Sequence, residues 1–367
     1  MRRLKILAVQ ACLAAVLLEG GLRLYQPIPF RVRGDRIILP VRQVYTFDNR
    51  GAAKLDPITR HTKNALGFRG PDPPRDFASR LTLVTIGGST TECLFLSDGK
   101  TWTDVIAHRL AVRAPESWVN NAGLDGQSTF GHLVLLRTVV AALRPTLAVF
   151  LVGANDVGLE AANTYDAALA PSRAGLEAVE RFVIAHSALA TLAQNLYRAN
   201  RARQRGFGHS QVDLATANRL ALDQAVMDAT IRKYRQTLDG YAARLKAIVN
   251  LSRASGIVAV LVTQPALFGD VVDPSTGVDL ATVQVNGRGN GLLEWRVLEL
   301  YNDVTRRVAG EEHADLIDLA RELPKDSRLF YDFLHFTNEG AAQVGAIVSA
   351  HLERSLAGWR PRPPQDR

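Results

Sequence analysis

A chain of 367 residues is long enough to bury a full α/β core and still carry an insertion or a tail. With 47% hydrophobic and 22% charged residues, its composition is that of a globular protein and excludes a largely disordered one. The net charge of +8 is spread over scattered arginines, with no basic block interleaved with aromatics, which sets nucleic acid aside as a partner.

Taken from the start, Arg2, Arg3 and Lys5 precede an apolar run over residues 6–18, the layout of a secretory signal or an uncleaved signal anchor. Extension to Tyr25 gives spanning length and takes in Glu19 and Arg23 near the far interface. No small-x-small cleavage site follows, so residues 1–25 are expected to be a transmembrane anchor. The positive residues then lie on the cytoplasmic side, and the rest is extracytoplasmic, periplasmic or at the cell surface. Cys12 falls inside this segment and Cys93 far outside it, so no disulfide is expected. No Cys/His cluster has zinc spacing and no acidic run has calcium-loop spacing; neither metal nor cofactor is expected.

Residues 26–80 are rich in proline, arginine and glycine, with β-like pieces at 36–39 and 43–47, and read as an extended stalk that packs on the domain. From residue 81 short apolar runs alternate with helical stretches, the pattern of a parallel sheet covered on both faces. The expected strands are 81–87, 118–121, 147–152, 257–263 and 315–319; the expected helices are 102–113, 131–143, 295–309 and 337–356. Residues 160–210 read as a helical insertion. A long helical pattern runs over 212–252, with Tyr234, Leu238, Tyr241, Leu245 and Ile248 on one face. The domain is expected to end near 356, and the tail 357–367 to be disordered.

Three strand ends carry turn-forming residues. The first is Gly87-Gly88-Ser89-Thr90-Thr91-Glu92, the second Asn120-Asn121-Ala122-Gly123, the third Gly153-Ala154-Asn155-Asp156. Ligands bind at the carboxyl edge of open parallel sheets. A Gly-Gly-Ser turn is by itself ordinarily just a turn. The backbone N–H groups of Ser89 and Gly123 and the Asn155 side chain could, however, supply three donors to a tetrahedral oxyanion. Turn propensity explains each motif separately but not their place at successive strand ends. Tyr331-Asp332-Phe333-Leu334-His335 precedes the last helix, and a carboxylate three residues before an imidazole can orient it and stabilise its cation.

These blocks together resemble the SGNH (GDSL-type) hydrolases: Gly87-Gly88-Ser89, then Gly123, then Gly153-x-Asn155-Asp156, then Asp332-x-x-His335, in order over residues 81–356. The resemblance implies a flavodoxin-like three-layer α/β/α sandwich with a central parallel sheet of about five strands. It also implies Ser89 as nucleophile, His335 as base oriented by Asp332, and Ser89, Gly123 and Asn155 in the oxyanion hole. Gly88 replaces the family's usual aspartate, a variant similar to a membrane-anchored bacterial subgroup with Gly-Gly-Ser-Thr. The α/β-hydrolase elbow does not fit, because Thr91 stands where it needs glycine. The expected activity is serine esterase action on short-chain or acetyl esters, with an acylated envelope glycan or lipid as substrate. An O-acetyltransferase acting on an extracytoplasmic polysaccharide and a non-catalytic glycan-binding protein are the alternatives.

Overall fold

The computed structural model describes residues 2–25, 32–33, 36–158, 179, 182–184, 186–204, 209–285, 287 and 289–356. The expected tail 357–367, residues 26–31 of the expected stalk, and most of 159–181 in the expected insertion lie outside the described residues.

Five strands form one parallel sheet: β3 (Thr82–Gly87), β4 (Trp118–Asn121), β5 (Leu147–Leu151), β6 (Val258–Val262) and β7 (Asp315–Ile317), in the spatial order β7-β6-β5-β3-β4. All five were expected from their apolar runs, and they agree because strands buried on both faces have no polar side to present. The side chains alternate between two cores. Leu83, Val149, Leu151, Val260 and Val262 meet Trp102, Ile106 and Leu110 of helix α2 (Trp102–Arg113) and Val344, Val348 and Leu352 of helix α8 (Asn338–Ser355). Val84, Ile86, Ala148, Phe150 and Leu261 meet the opposite layer. That layer consists of α3 (Thr129–Leu135), α6 (Leu238–Ala254) and α7 (Gly291–Glu311). The result is the three-layer α/β/α sandwich that the sequence led us to expect.

Helix ends follow their caps. Thr101 and Asp104 form a reciprocal capping box at α2, and the Asn290 and Thr337 side chains accept N–H groups at the starts of α7 and α8. Helix α3 begins at Thr129 rather than 131 because Ser128 caps it, and it continues as a π-turn over Leu136–Val140.

Two regions differ from their sequence pattern. The expected long helix over 212–252 is two helices, α5 (Gln224–Arg235) and α6, preceded by an irregular segment. Asp213 turns the chain by accepting the Ala215 N–H, and Leu220 and Asn218 then pair with the backbone at Thr282 and Gln284. That non-local pairing overrides helix propensity. Residues 36–80 are more structured than an extended stalk: β1 (Val44–Asp48) and β2 (Ile58–Thr62) form an antiparallel hairpin.

Helix α1 (Arg2–Leu24) contains a 20-residue stretch, Lys5–Leu24, of mean hydropathy 1.7, with none of that window buried. Its length and composition suffice to cross a membrane, and a signal sequence meets the same description. Near its end, Glu19 accepts hydrogen bonds from the Ser187 hydroxyl and from the N–H groups of Ala188 and Leu189. These bonds cap helix α4 (Ala188–Gln204) from another part of the chain.

Candidate active site

Strand β3 ends at Gly87, and the backbone turns at Gly88 into a single helical turn, Ser89–Glu92. This turn is fixed from outside: Trp102 Nε1–H donates to the Thr90 carbonyl at 3.0 Å, and Asn121 Nδ2–H donates to that of Thr91. Cys93, which closes the turn in a left-handed conformation, is buried, and burial pushes its thiol up to about 12. A thiol so protonated is no nucleophile and acts as a packing group.

Asp332 and His335 lie on the loop before α8. His335 Nδ1–H donates to Asp332 Oδ2 at 2.6 Å, and the Ser89 hydroxyl donates to His335 Nε2 at 2.7 Å. The second carboxylate oxygen of Asp332 accepts the backbone N–H groups of Leu334 and His335, at 2.8 and 2.7 Å, which fixes the carboxylate toward the ring. Both side chains are buried. Burial alone would lower the imidazole's proton affinity, but the Asp332 charge and hydrogen bond outweigh it, Asp125 adds to them, and the His335 pKa is raised. A hydroxyl, an imidazole and a carboxylate in this series can move one proton from the hydroxyl to the ring and return it.

The third strand end brings Asn155 to the same place. Gly153, with φ of +121°, makes the turn after β5 that side-chain-bearing residues rarely adopt. Asp156 then ties that turn to α3 and α6, accepting the Thr129 N–H and pairing with Arg244 at 3.3 Å. One amide hydrogen of Asn155 goes to the Gln127 carbonyl at 2.9 Å, which orients the group; an amide nitrogen carries two. Asn155 lies directly over Gly88, where an added Cβ would stand 2.2 Å from Nδ2. The position that carries aspartate in the family pattern therefore has no room for it here without moving Asn155.

Gly123 packs against the Ser89–Glu92 turn so closely that a Cβ would meet the Glu92 backbone nitrogen at 2.3 Å. Its own N–H donates to Asn121 Oδ1 at 2.8 Å. The structure thus joins Ser89, His335 and Asp332, sets Asn155 over the adjoining Gly88, and places Gly123 beside the same turn with its donor already engaged.

Several residues at the site were not singled out from the sequence. Arg69, buried, donates to the carbonyls of Glu92, Cys93 and Leu96 from the segment after the hairpin. Lys63 and Glu92 form an ion pair of 2.8 Å with 0% and 6% of their side chains exposed. His209 lies with its ring 4.2 Å from that of His335. The ligand atoms of His209, Asp332 and His335 fall within 4.8 Å of one another. Both ring nitrogens of His335 are already engaged, by Asp332 and by Ser89, so a metal ion there would displace one of those bonds. Alternating Ile58-Thr59-Arg60-His61-Thr62 was a signal for the hairpin; nothing local marked His209.

The GDSL-like Lipase/Acylhydrolase family pattern matches residues 85–343, most of the chain. No curated protein sequence matches. Among solved structures, a psychrotrophic esterase from Pseudoalteromonas sp. is 13% identical, with 76% of this chain and 100% of that one covered at a TM-score of 0.42. A variant of an acetyl xylan esterase from Geobacillus stearothermophilus is 16% identical, with 78% and 99% covered at 0.42. TesA is 16% identical, with 74% and 98% covered at 0.40. On the family match, which spans every block from the strand before Ser89 to the helix after His335, the chain belongs to the GDSL-like lipase/acylhydrolases and is a hydrolase acting on ester bonds.

Proposed function

We propose that the protein is a serine esterase in which Ser89 attacks the ester carbonyl, His335 takes its proton, and Asp332 orients and stabilises the imidazolium. The observation that carries this reading is the unbroken series Ser89–His335–Asp332, with contacts of 2.7 and 2.6 Å. The oxyanion is held by the Ser89 N–H, the Asn155 amide and the Gly123 N–H. Ser89 opens its helical turn, so its N–H has no carbonyl within that turn to bond. Asn155 offers its second amide hydrogen. Gly123 contributes least, as a donor shared with Asn121. The acyl-enzyme is released when His335 takes a proton from water as the water oxygen adds to the acyl carbonyl; the bond from that carbon to Ser89 Oγ then breaks, and the imidazolium returns the proton to Oγ.

The substrate is a short-chain or acetyl ester of a hydroxyl-rich envelope molecule. Asp125, His209, Asn155 and Gln127 are grouped around the reacting residues, and such polar company suits a polyol more than a long acyl chain. Residues 1–25 serve as a signal anchor with Arg2, Arg3 and Lys5 in the cytoplasm and the domain outside. Residues 26–80 are then a stalk that packs on the catalytic domain of residues 81–356.

A serine-directed phosphonate tests the reading: it should label the wild-type chain and leave Ser89→Ala unlabelled. Equal labelling of both would remove Ser89 from the mechanism. On a panel of aryl esters the rate should fall steadily from acetyl to octanoyl, and a maximum at octanoyl would overturn the short-chain assignment.

A further inference from the structure

Two hydrogen bonds, at Nδ1 and Nε2, fix the axis of the His335 ring but leave its roll about that axis to packing. His209 and Tyr331 supply the packing. The His209 ring lies 4.2 Å from His335 with the planes 33° apart, and Tyr331 lies 5.5 Å away at 13°. His209 also meets Phe95 edge-on at 5.0 Å. Its segment is fastened by the Val212 N–H to the Tyr331 carbonyl, and His209 Nδ1 is 2.6 Å from the Tyr331 hydroxyl.

Burial, then the nearby Asp332, raises the Tyr331 pKa well above the usual phenol range, so this hydroxyl keeps a proton that it can donate to Nδ1. In the tautomer that accepts at Nδ1, the Nε2–H of His209 faces Asp125 Oδ1 at 3.5 Å. Asp125 is held in turn: its backbone N–H donates to Glu92 Oε2 at 2.6 Å, and Glu92 pairs with the buried Lys63. His209 therefore touches the loop after Ser89, the loop after Gly123 and the loop that carries His335.

We propose that His209 and Asp125 form a second imidazole–carboxylate couple that positions His335 and stabilises its cation during acyl transfer. The proposal rests on the reading of His335 as the base for Ser89. As the Ser89 Oγ–carbon bond forms, the hydroxyl proton passes to His335 Nε2 and the ring becomes positive. Asp332 faces that charge directly, and Asp125 adds negative potential from across His209. When the ester C–O bond breaks, the same proton leaves with the alkoxide and the ring is neutral again. The other groups facing His335 are Ser89 and Tyr331. Lys54, bonded to the carbonyls of Ser327 and Phe330, lies within electrostatic reach of Asp332.

The test is a histidine NMR titration of the full chain in detergent, with His335 assigned by His335→Gln, beside kcat and KM for phenyl acetate. Asp125→Asn keeps the backbone bond to Glu92 and should lower the pH at which His335 titrates. The acid limb of kcat/KM should move the same way, and Asp125→Glu should restore both. His209→Ala should lose about tenfold in kcat with KM little changed, and His209→Phe, which keeps a ring, should recover part of that loss. An unshifted His335 titration in Asp125→Asn, or an unchanged kcat in His209→Ala, would overturn the proposal. The titration does not depend on turnover. Activity retained in Ser89→Ala would instead sink the Ser89 reading and leave the His335 result to be judged on its own.

Discussion

The sheet edge and the hairpin β1–β2 contribute to the same site in opposite ways. At the edge, Ser89 and Asn155 stand on turns that immediately follow strands, and each is placed by the strand before it. The hairpin and the residues after it contribute no reacting atom. They act on the backbone: Arg69 binds three carbonyls of the loop behind Ser89, and Lys63 neutralises Glu92 beneath it. Strands set positions to within a peptide unit; the hairpin and the residues after it hold the loop that follows Ser89. Part of the support for that turn thus lies outside the family pattern, which begins only at residue 85.

That division can be broken experimentally at several levels. Ser89→Ala should abolish ester hydrolysis, with a loss of about 10⁴-fold or more in kcat and an unchanged melting temperature, measured by steady-state kinetics and calorimetry. Asn155→Ala should cost on the order of a hundredfold in kcat, and full activity would exclude it from the oxyanion hole. Arg69→Ala belongs to the other class: it should destabilise the fold by about 3 kcal/mol in a denaturant titration, because it leaves buried carbonyls without donors. If Arg69→Ala lowered kcat as Asn155→Ala does while the stability stayed level, the division would be wrong. The smallest effect is in pH. His335 must be neutral to accept a proton, and its pKa is raised by Asp332. Activity should therefore decline as pH falls, with its midpoint above the ordinary imidazole value of about 6.5. A kcat/KM profile flat down to pH 5 would contradict that.

The contrast also accounts for what could be read in advance. Strands buried on both faces must be apolar throughout, so β3 to β7 announce themselves, and the turns at their ends carry Ser89, Gly123 and Asn155 within a few residues of a recognisable run. Asp332 and His335 were legible because they share one loop. Arg69 and Lys63 were not, because their roles depend on a carbonyl row and a carboxylate more than 20 residues away in sequence. The break before α5 was hidden for a similar reason: residues 218–220 favour helix locally and are drawn out of it by pairing with 282–284. His209 is an isolated histidine at the end of the expected insertion, and only the folded chain sets its ring against that of His335.

The capping of α4 by Glu19 has a consequence for maturation. Glu19 belongs to the first helix, yet it satisfies the Ala188 and Leu189 N–H groups more than 160 residues later. A peptidase that trimmed the chain after residue 25 would remove the first helix and at the same moment strip a helix elsewhere of its terminal acceptor. Loss of the first helix and loosening of α4 would then be a single event, and the trimmed chain would differ from the full-length one in more than its length.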